Sequence, residues 1–305
     1  MRFRWQNWMA ALVMVAACVA VGGGVVWYRS RSLPSLAERM ERLPAGANVL
    51  YLDLATMRRT GLLALLSGQN VTEDADYTAF VASTGFDYRA DLDSVLIGWA
   101  GADVYILATG RFDWKAIQEH SARSGGKCWN GVCRMPGSMP QRMVSFAPLS
   151  NGMVGMAVSM DEWAVVKLQN KAPNRLTAPD AVVWAGGVGR NWRESESLPA
   201  GTRLFAKALG EAEVVTLGLH VGVAGAEVRL RAECLSESAA GGLESQLRGV
   251  TGVFRKYLEN VQQKPNPEDL SGILTSGTFS REGAVVTGRW SVQRPFLEKL
   301  LSGQL

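Results

Sequence analysis

"IGWAGADVYILATG" (Ile97–Gly110) returns later in the chain as "VGVAGAEVRLRAEC" (Val221–Cys234). Each stretch reads as two strands joined at Ala-Gly-Ala and an acidic residue, so one hairpin is written twice. The match extends both ways. Upstream, "PAGANVLYL" from Pro44 resembles "PDAVVWAGG" from Pro179, each a proline entering a strand. Downstream, each hairpin leads into a helix, "DWKAIQEHSARSG" from Asp113 and "SESAAGGLESQLRGVTGVFRKYLENV" from Ser236. A second hairpin follows in both halves, turning at Asn151-Gly152 in "MVSFAPLSNGMVGMAVS" and at Glu282-Gly283 in "ILTSGTFSREGAVVTGRWSVQ". Each half then ends in a helix, "MDEWAVVKLQ" and "RPFLEKLLSG".

This plan predicts an α+β fold: an N-terminal transmembrane helix, then two similar lobes of antiparallel sheet covered by helices. The expected divisions are a cytoplasmic N-terminus over 1–7, a span over 8–28, a juxtamembrane helix over 29–43, a first lobe over 44–168, a Pro/Asn-rich linker over 169–180 and a second lobe over 181–305. Within the first lobe "NVLYLDL" reads as a strand and "ATMRRTGLLALL" as one leucine-packed helix. "YTAFVASTGFD" reads as a shorter helix ended by Gly85.

The span rests on Trp8 to Tyr28, an uncharged apolar stretch of the length needed to cross a hydrocarbon core of roughly 30 Å. Trp5, Trp8, Trp27 and Tyr28 stand at its ends, where amphipathic rings favour the headgroup region. Arg2 and Arg4 precede it and Arg29 and Arg31 follow it, so charge alone favours an inward N-terminus only slightly. A cleavable signal peptide is an alternative, and Val15 to Cys18 resembles a lipobox. The residues after Cys18, however, stay apolar where a lipoprotein turns polar.

The cysteines bear on compartment. In "GGKCWNGVCRM" (Gly125–Met135), Asn130-Gly131 is the preferred pair for a type I′ turn, which needs positive φ at both central positions. Cys128 then falls opposite Cys133 at a non-hydrogen-bonded pair, with Cα atoms about 4.5 Å apart, within reach of a disulfide. Two free thiols are the competing reading. A metal site would need further ligands, yet Cys234, His120 and His220 each stand without a partner at ligand spacing. The disulfide Cys128–Cys133 predicts that everything after Tyr28 lies outside the cytoplasm.

The "LPAGANVLYLDL" opening, the "GFDYRADLDSV" and "GRFD" segments and the terminal hairpin and helix are similar to uncharacterised bacterial envelope proteins with an N-terminal anchor and a duplicated α+β ectodomain. The resemblance implies no catalytic residues.

A search for chemistry agrees. The charge balance of 32 basic against 28 acidic residues has no dense basic run of the kind nucleic acid requires. "AGGVGRNW" holds Gly187 and Gly189 but lacks the rest of a dinucleotide fingerprint and reads as a glycine-weakened strand end. Asp87, Asp91 and Asp93 lack calcium-loop spacing and read as acidic residues favoured at a helix start. The tryptophans of the ectodomain, Trp99, Trp114, Trp129, Trp163, Trp184, Trp192 and Trp290, read mostly as core. Asn70 in "NVT" would accept a glycan only in a secretory eukaryotic setting.

The expectation is therefore a single-pass, extracytoplasmic, non-enzymatic protein that binds an envelope protein partner or organises the envelope. No cofactor, metal or nucleic acid is expected. The alternative is a module holding a lipid or glycan between its lobes, with its small-molecule ligand unknown.

Overall fold

The computed structural model describes residues 33–66, 75–137, 139, 141–193, 200–222, 225–293, 295–296 and 299. The chain begins with α1 (Leu36–Met40), closed at its start by a capping box in which Ser35 and Glu38 each bond the other's backbone. β1 (Asn48–Asp53) ends at Asp53, whose side chain accepts from Thr56 N and so starts α2 (Leu54–Arg59). The single helix expected over "ATMRRTGLLALL" is two, because Gly61 takes φ +77° and separates α2 from α3 (Leu62–Leu66). Next come α4 (Ala75–Thr84), α5 (Tyr88–Asp91), β2 (Leu92–Ala100), β3 (Asp103–Gly110) and α6 (Trp114–Arg123). The half closes with β4 (Lys127–Trp129), β5 (Val132–Pro136), β6 (Met143–Ser150), β7 (Met153–Ser159) and a 3-10 helix (Ala164–Gln169) where an α-helix was expected.

The second half contains β8 (Val183–Val188), α7 (Gly189–Arg193), α8 (Ala200–Leu209), β9 (Val214–Gly222), β10 (Gly225–Glu233), α9 (Glu237–Asn260), α10 (Leu270–Ser276), β11 (Thr278–Glu282) and β12 (Val285–Val292), with α10 where the first half has the β4–β5 hairpin. All twelve strands form one antiparallel sheet in the order β11-β12-β10-β9-β8-β1-β2-β3-β7-β6-β5-β4. From the central β1–β8 pair outward, the order is the same on both sides for five strands, and β5 and β4 extend the N-terminal side alone. Val49 to Leu52 pair with Gly186 to Val183, so the two halves share a continuous sheet. Tyr51 and Trp184 face each other across this junction with rings 6.0 Å apart, both buried.

The quoted hairpins differ in one respect from the sequence match. β2 and β3 turn at Gly101 and Ala102, whereas Gly225 already pairs with Gly222, so the β9–β10 pairing ends at a different place in the motif. The last turn also moves by one residue: Glu282 pairs with Val285, leaving Gly283 and Ala284 between the strands.

The two halves are covered differently. α2 and α3 pack the reverse face beside the central strands through Leu54, Met57, Leu62 and Leu63, against Leu52, Val95 and Val183, so the N-terminal half carries cover on both faces. On the Tyr51 face of the N-terminal half, Leu96, Tyr105, Leu107 and Ala157 are buried beneath Met40, Leu43 and the 3-10 helix residues Ala164, Val165 and Leu168. Segment 170–180 has no regular structure and closes this layer, with Leu176, Ala178 and Ala181 packed on it and Ala172 N bonded to Glu41 O at 2.6 Å. On the reverse face of the C-terminal half, Val215, Leu230, Ala232, Val286 and Trp290 are buried beneath Phe205 of α8 and Leu243 and Leu247 of α9. Burying each such side chain contributes about 1.5–3 kcal/mol. α9 begins at Ser236, whose hydroxyl accepts from Ala239 N.

The span expected over 8–28, Cys18, Asn70 and most of the C-terminal helix lie outside the described residues. Among the described residues no helix is long and apolar enough to cross a membrane.

Candidate functional site

The β4–β5 hairpin forms the N-terminal edge of the sheet. Asn130 and Gly131 take φ of +48° and +80°, as a type I′ turn requires, and Cys128 and Cys133 pair directly across it as a disulfide with Cα atoms 4.0 Å apart. Cys133 is fully buried, while Cys128 is exposed. Beside the bond, Trp129 is 66% exposed and meets Trp163 edge-on, with ring centroids 5.9 Å apart. Arg134 lies 4.0 Å over the Trp163 ring and pairs with Glu162 at 2.6 Å. Trp163 therefore sits between an indole and a guanidinium, and the hairpin is held to the segment entering the 3-10 helix. Among the described residues β4 pairs with β5 alone, and the indole of Trp129 is exposed.

The other residues singled out by sequence hold the structure together. Asp87 caps α5 through Arg89 N at 2.9 Å and accepts the Tyr77 hydroxyl at 3.0 Å. Burial, followed by that bond, pushes the Tyr77 hydroxyl up to about 12. Asp91 accepts Asp87 N at 3.0 Å and pairs with Arg111 at 2.8 Å. Both carboxylates are engaged in the local turn, and among the described residues no group of His, Cys, Asp and Glu could hold a metal ion.

"AGGVGRNW" ends β8 and does lead into a helix, the five-residue α7. Its glycines have a packing reason, since a Cβ on Gly187 would stand 2.1 Å from Asn48 Oδ1 and one on Gly189 2.0 Å from Ala212 O. Trp184 and Trp290 are core residues, Trp114, Trp163 and Trp192 are half-buried, and Trp99 is exposed like Trp129. His120 ties α6 to α4 through Ser83 Oγ, 2.6 Å from Nδ1.

No activated nucleophile emerges among the shifted groups. Lys167 lies near Tyr105 and 3.4 Å from Asp161, but Tyr105 first and then the Asp161 hydrogen bond raise its pKa. An amine poised for attack needs the opposite shift. Burial raises the Cys234 thiol as well.

Sequence reasoning missed the polar face of the C-terminal half. There, on the Tyr51 side of the sheet, Arg229 pairs with Glu227, and Arg231 with Glu233 at 3.1 Å. A groove of about 570 Å³ is lined by His220, Glu227, Arg229, Ser291 and Gln293 among others. Burial and then Arg229 hold His220 below its usual value. The strict alternation of "EVRLRAE" and "VVTGRWSV" is the pattern that could have located this face. A smaller groove of about 370 Å³ runs between Gly46, Arg175, Leu176 and Glu213 at the other end of the central strands.

No family model and no curated sequence matches this chain. Among solved structures it is similar to TP0453 in three crystal forms. Form I matches with a TM-score of 0.49 and 10% identity over 90% of this chain and 98% of that one. Form III matches with 0.49 and 10% over 88% and 99%, and form IV with 0.46 and 11% over 86% and 96%.

Proposed function

We propose that the chain is a single-pass membrane protein whose sheet domain stands outside the cytoplasm and works without catalysis, by binding a partner protein or organising the envelope. The observation that carries this reading is the Cys128–Cys133 disulfide, because such bonds persist in oxidising compartments. The apolar stretch Trp8–Tyr28 supplies the attachment, with Arg2 and Arg4 on its inner side. The surface supports a binding role: Trp129 offers an exposed aromatic on β4, the last strand of the sheet on that side, and protein partners use such features. The duplicated order of elements is read as two copies of one unit fused through β1 and β8.

A membrane-impermeant protease added to intact spheroplasts is expected to digest the domain from Arg29 onward. Full protection in spheroplasts, with digestion only after lysis, overturns the topology.

A further inference from the structure

Arg229 and Arg289 occupy directly opposite positions in the β10–β12 ladder, on the Tyr51 face of the sheet. Like charges placed so repel each other. Arg231 stands two residues along β10 on the same face, and all three arginines are exposed. Glu227 and Glu233 neutralise Arg229 and Arg231, which leaves one guanidinium over. Among the described residues the Arg289 guanidinium makes no ion pair or hydrogen bond. It acts only through its field on Glu227, whose carboxyl is held below the usual range first by the Arg229 hydrogen bond. The neighbours on this face are hydroxyls: Thr278 lies opposite Arg289, Ser280 and Thr287 share a 2.8 Å hydrogen bond, and Ser291 follows on β12. All four are exposed.

A folded sheet gains nothing from opposing two arginines on an open face, and a salt-bridged face would pair each with an acid. The guanidinium fork is built to take a carboxylate with two parallel hydrogen bonds. Arg229 and Arg231 are about 6.7 Å apart along their strand, the distance between alternate side chains of any extended chain. A segment laid along β10 thus meets one arginine with every second residue, while Arg289 flanks it across the ladder.

We propose that this face binds an acidic, extended protein segment, with Arg289 taking a carboxylate first because it has no partner to give up. Arg229 and Arg231 then exchange Glu227 and Glu233 for carboxylates of the segment. The proposal rests on the protein-binding part of the reading above and not on the membrane tether, so the protease experiment can fail while this one succeeds, and the reverse.

The test uses the full chain in nanodiscs of zwitterionic lipid and a fluorescein-labelled Ser-Glu repeat peptide, read by anisotropy. Binding is expected to weaken about tenfold in Arg289→Gln, the loss of one charged hydrogen-bonded pair, and to recover in part in Arg289→Lys. Arg123→Gln, an exposed arginine on α6, serves as the control and leaves binding unchanged. Unchanged thermal unfolding of Arg289→Gln assigns the loss to the site. The proposal is overturned if the peptide does not bind, if Arg289→Gln and Arg123→Gln behave alike, or if a Ser-Lys peptide binds equally. It is also overturned if Arg289→Gln abolishes binding to anionic vesicles and leaves the peptide untouched.

Discussion

In the N-terminal half of the sheet Tyr105 and Leu107 lie buried under α1 and the 3-10 helix, while at matching places on the same face of the C-terminal half Arg229 and Arg231 stand in water. The difference comes from what covers each half. α1 and segment 170–180 cover the Tyr51 face of the N-terminal half and reach across it only as far as Gly186 and Gly218 of the central strands β8 and β9, whereas α8 and α9 pack the reverse face of the C-terminal half. Ile97, Ile106 and Met156, on the reverse face of the N-terminal half, are half-buried apolar residues, so those strands are hydrophobic on both faces. β12 keeps a strict buried and exposed alternation. One strand plan thus serves as a two-sided core or as a wall with one wet face, according to its cover.

The exchange of the paired residues tests this most severely. Tyr105→Arg places an unpaired cation in a site that is 2% exposed and is expected to cost more than about 4 kcal/mol, so that no cooperative unfolding transition remains. Arg229→Tyr on the open face is expected to change stability by about 0.5 kcal/mol or less, measured by urea unfolding. Similar losses from the two variants would erase the distinction between the halves. A finer comparison sets Leu247→Ala, on the buried side of α9, against Ile106→Ala on the half-buried reverse face of the N-terminal half. The first is expected to cost about 3 kcal/mol and the second about 1, and the order reverses if another element covers Ile106 fully.

Smaller effects come from the edge and from the wet face. The loop that Cys128 and Cys133 close is short, so Cys128→Ala is expected to cost about 2 kcal/mol or less and to act locally. Hydrogen exchange should quicken at Lys127–Cys133 with the global midpoint barely moved, and uniform acceleration across the sheet would show that the hairpin supports more than itself. Alkylation of unreduced, unfolded protein should leave both cysteines unmodified. The smallest effect is that of His220, whose folded pKa lies below its unfolded value of about 6.5. The unfolded chain then takes the proton first, so stability is expected to fall as pH drops from about 8 to about 5.5. His220→Gln should flatten that slope, and an unchanged slope would assign it elsewhere. Asp161, Glu227 and Asp269, held low chiefly by hydrogen bonds, lose their contribution only further down, through their depressed folded values.

Local features were legible because their causes are local. Asn130-Gly131 dictates its turn through backbone sterics, and the turn alone places Cys128 against Cys133. Asp87 read as a helix-start residue and caps α5, because an Asx side chain reaches a backbone N–H two residues on. The helix over "ATMRRTGLLALL" was read too long, since the leucine pattern outweighed Gly61. The arginine face escaped notice because Arg229 and Arg289 become neighbours only through pairing of strands far apart in the chain.

By itself, then, the sequence determined the α+β class, the turn at Asn130-Gly131, the helix start at Asp87 and the cross-strand cysteines, all of which follow from steric and hydrogen-bonding rules within a few residues. The tertiary structure alone decided that β1 meets β8 to make one twelve-stranded sheet, that β4 and β5 extend only one edge, and which face of each half is covered. These outcomes depend on contacts between distant segments competing to bury apolar surface. Hydrophobic burial is proportional to area and carries no direction of its own, so a strand pattern states that a face must be covered without naming what covers it.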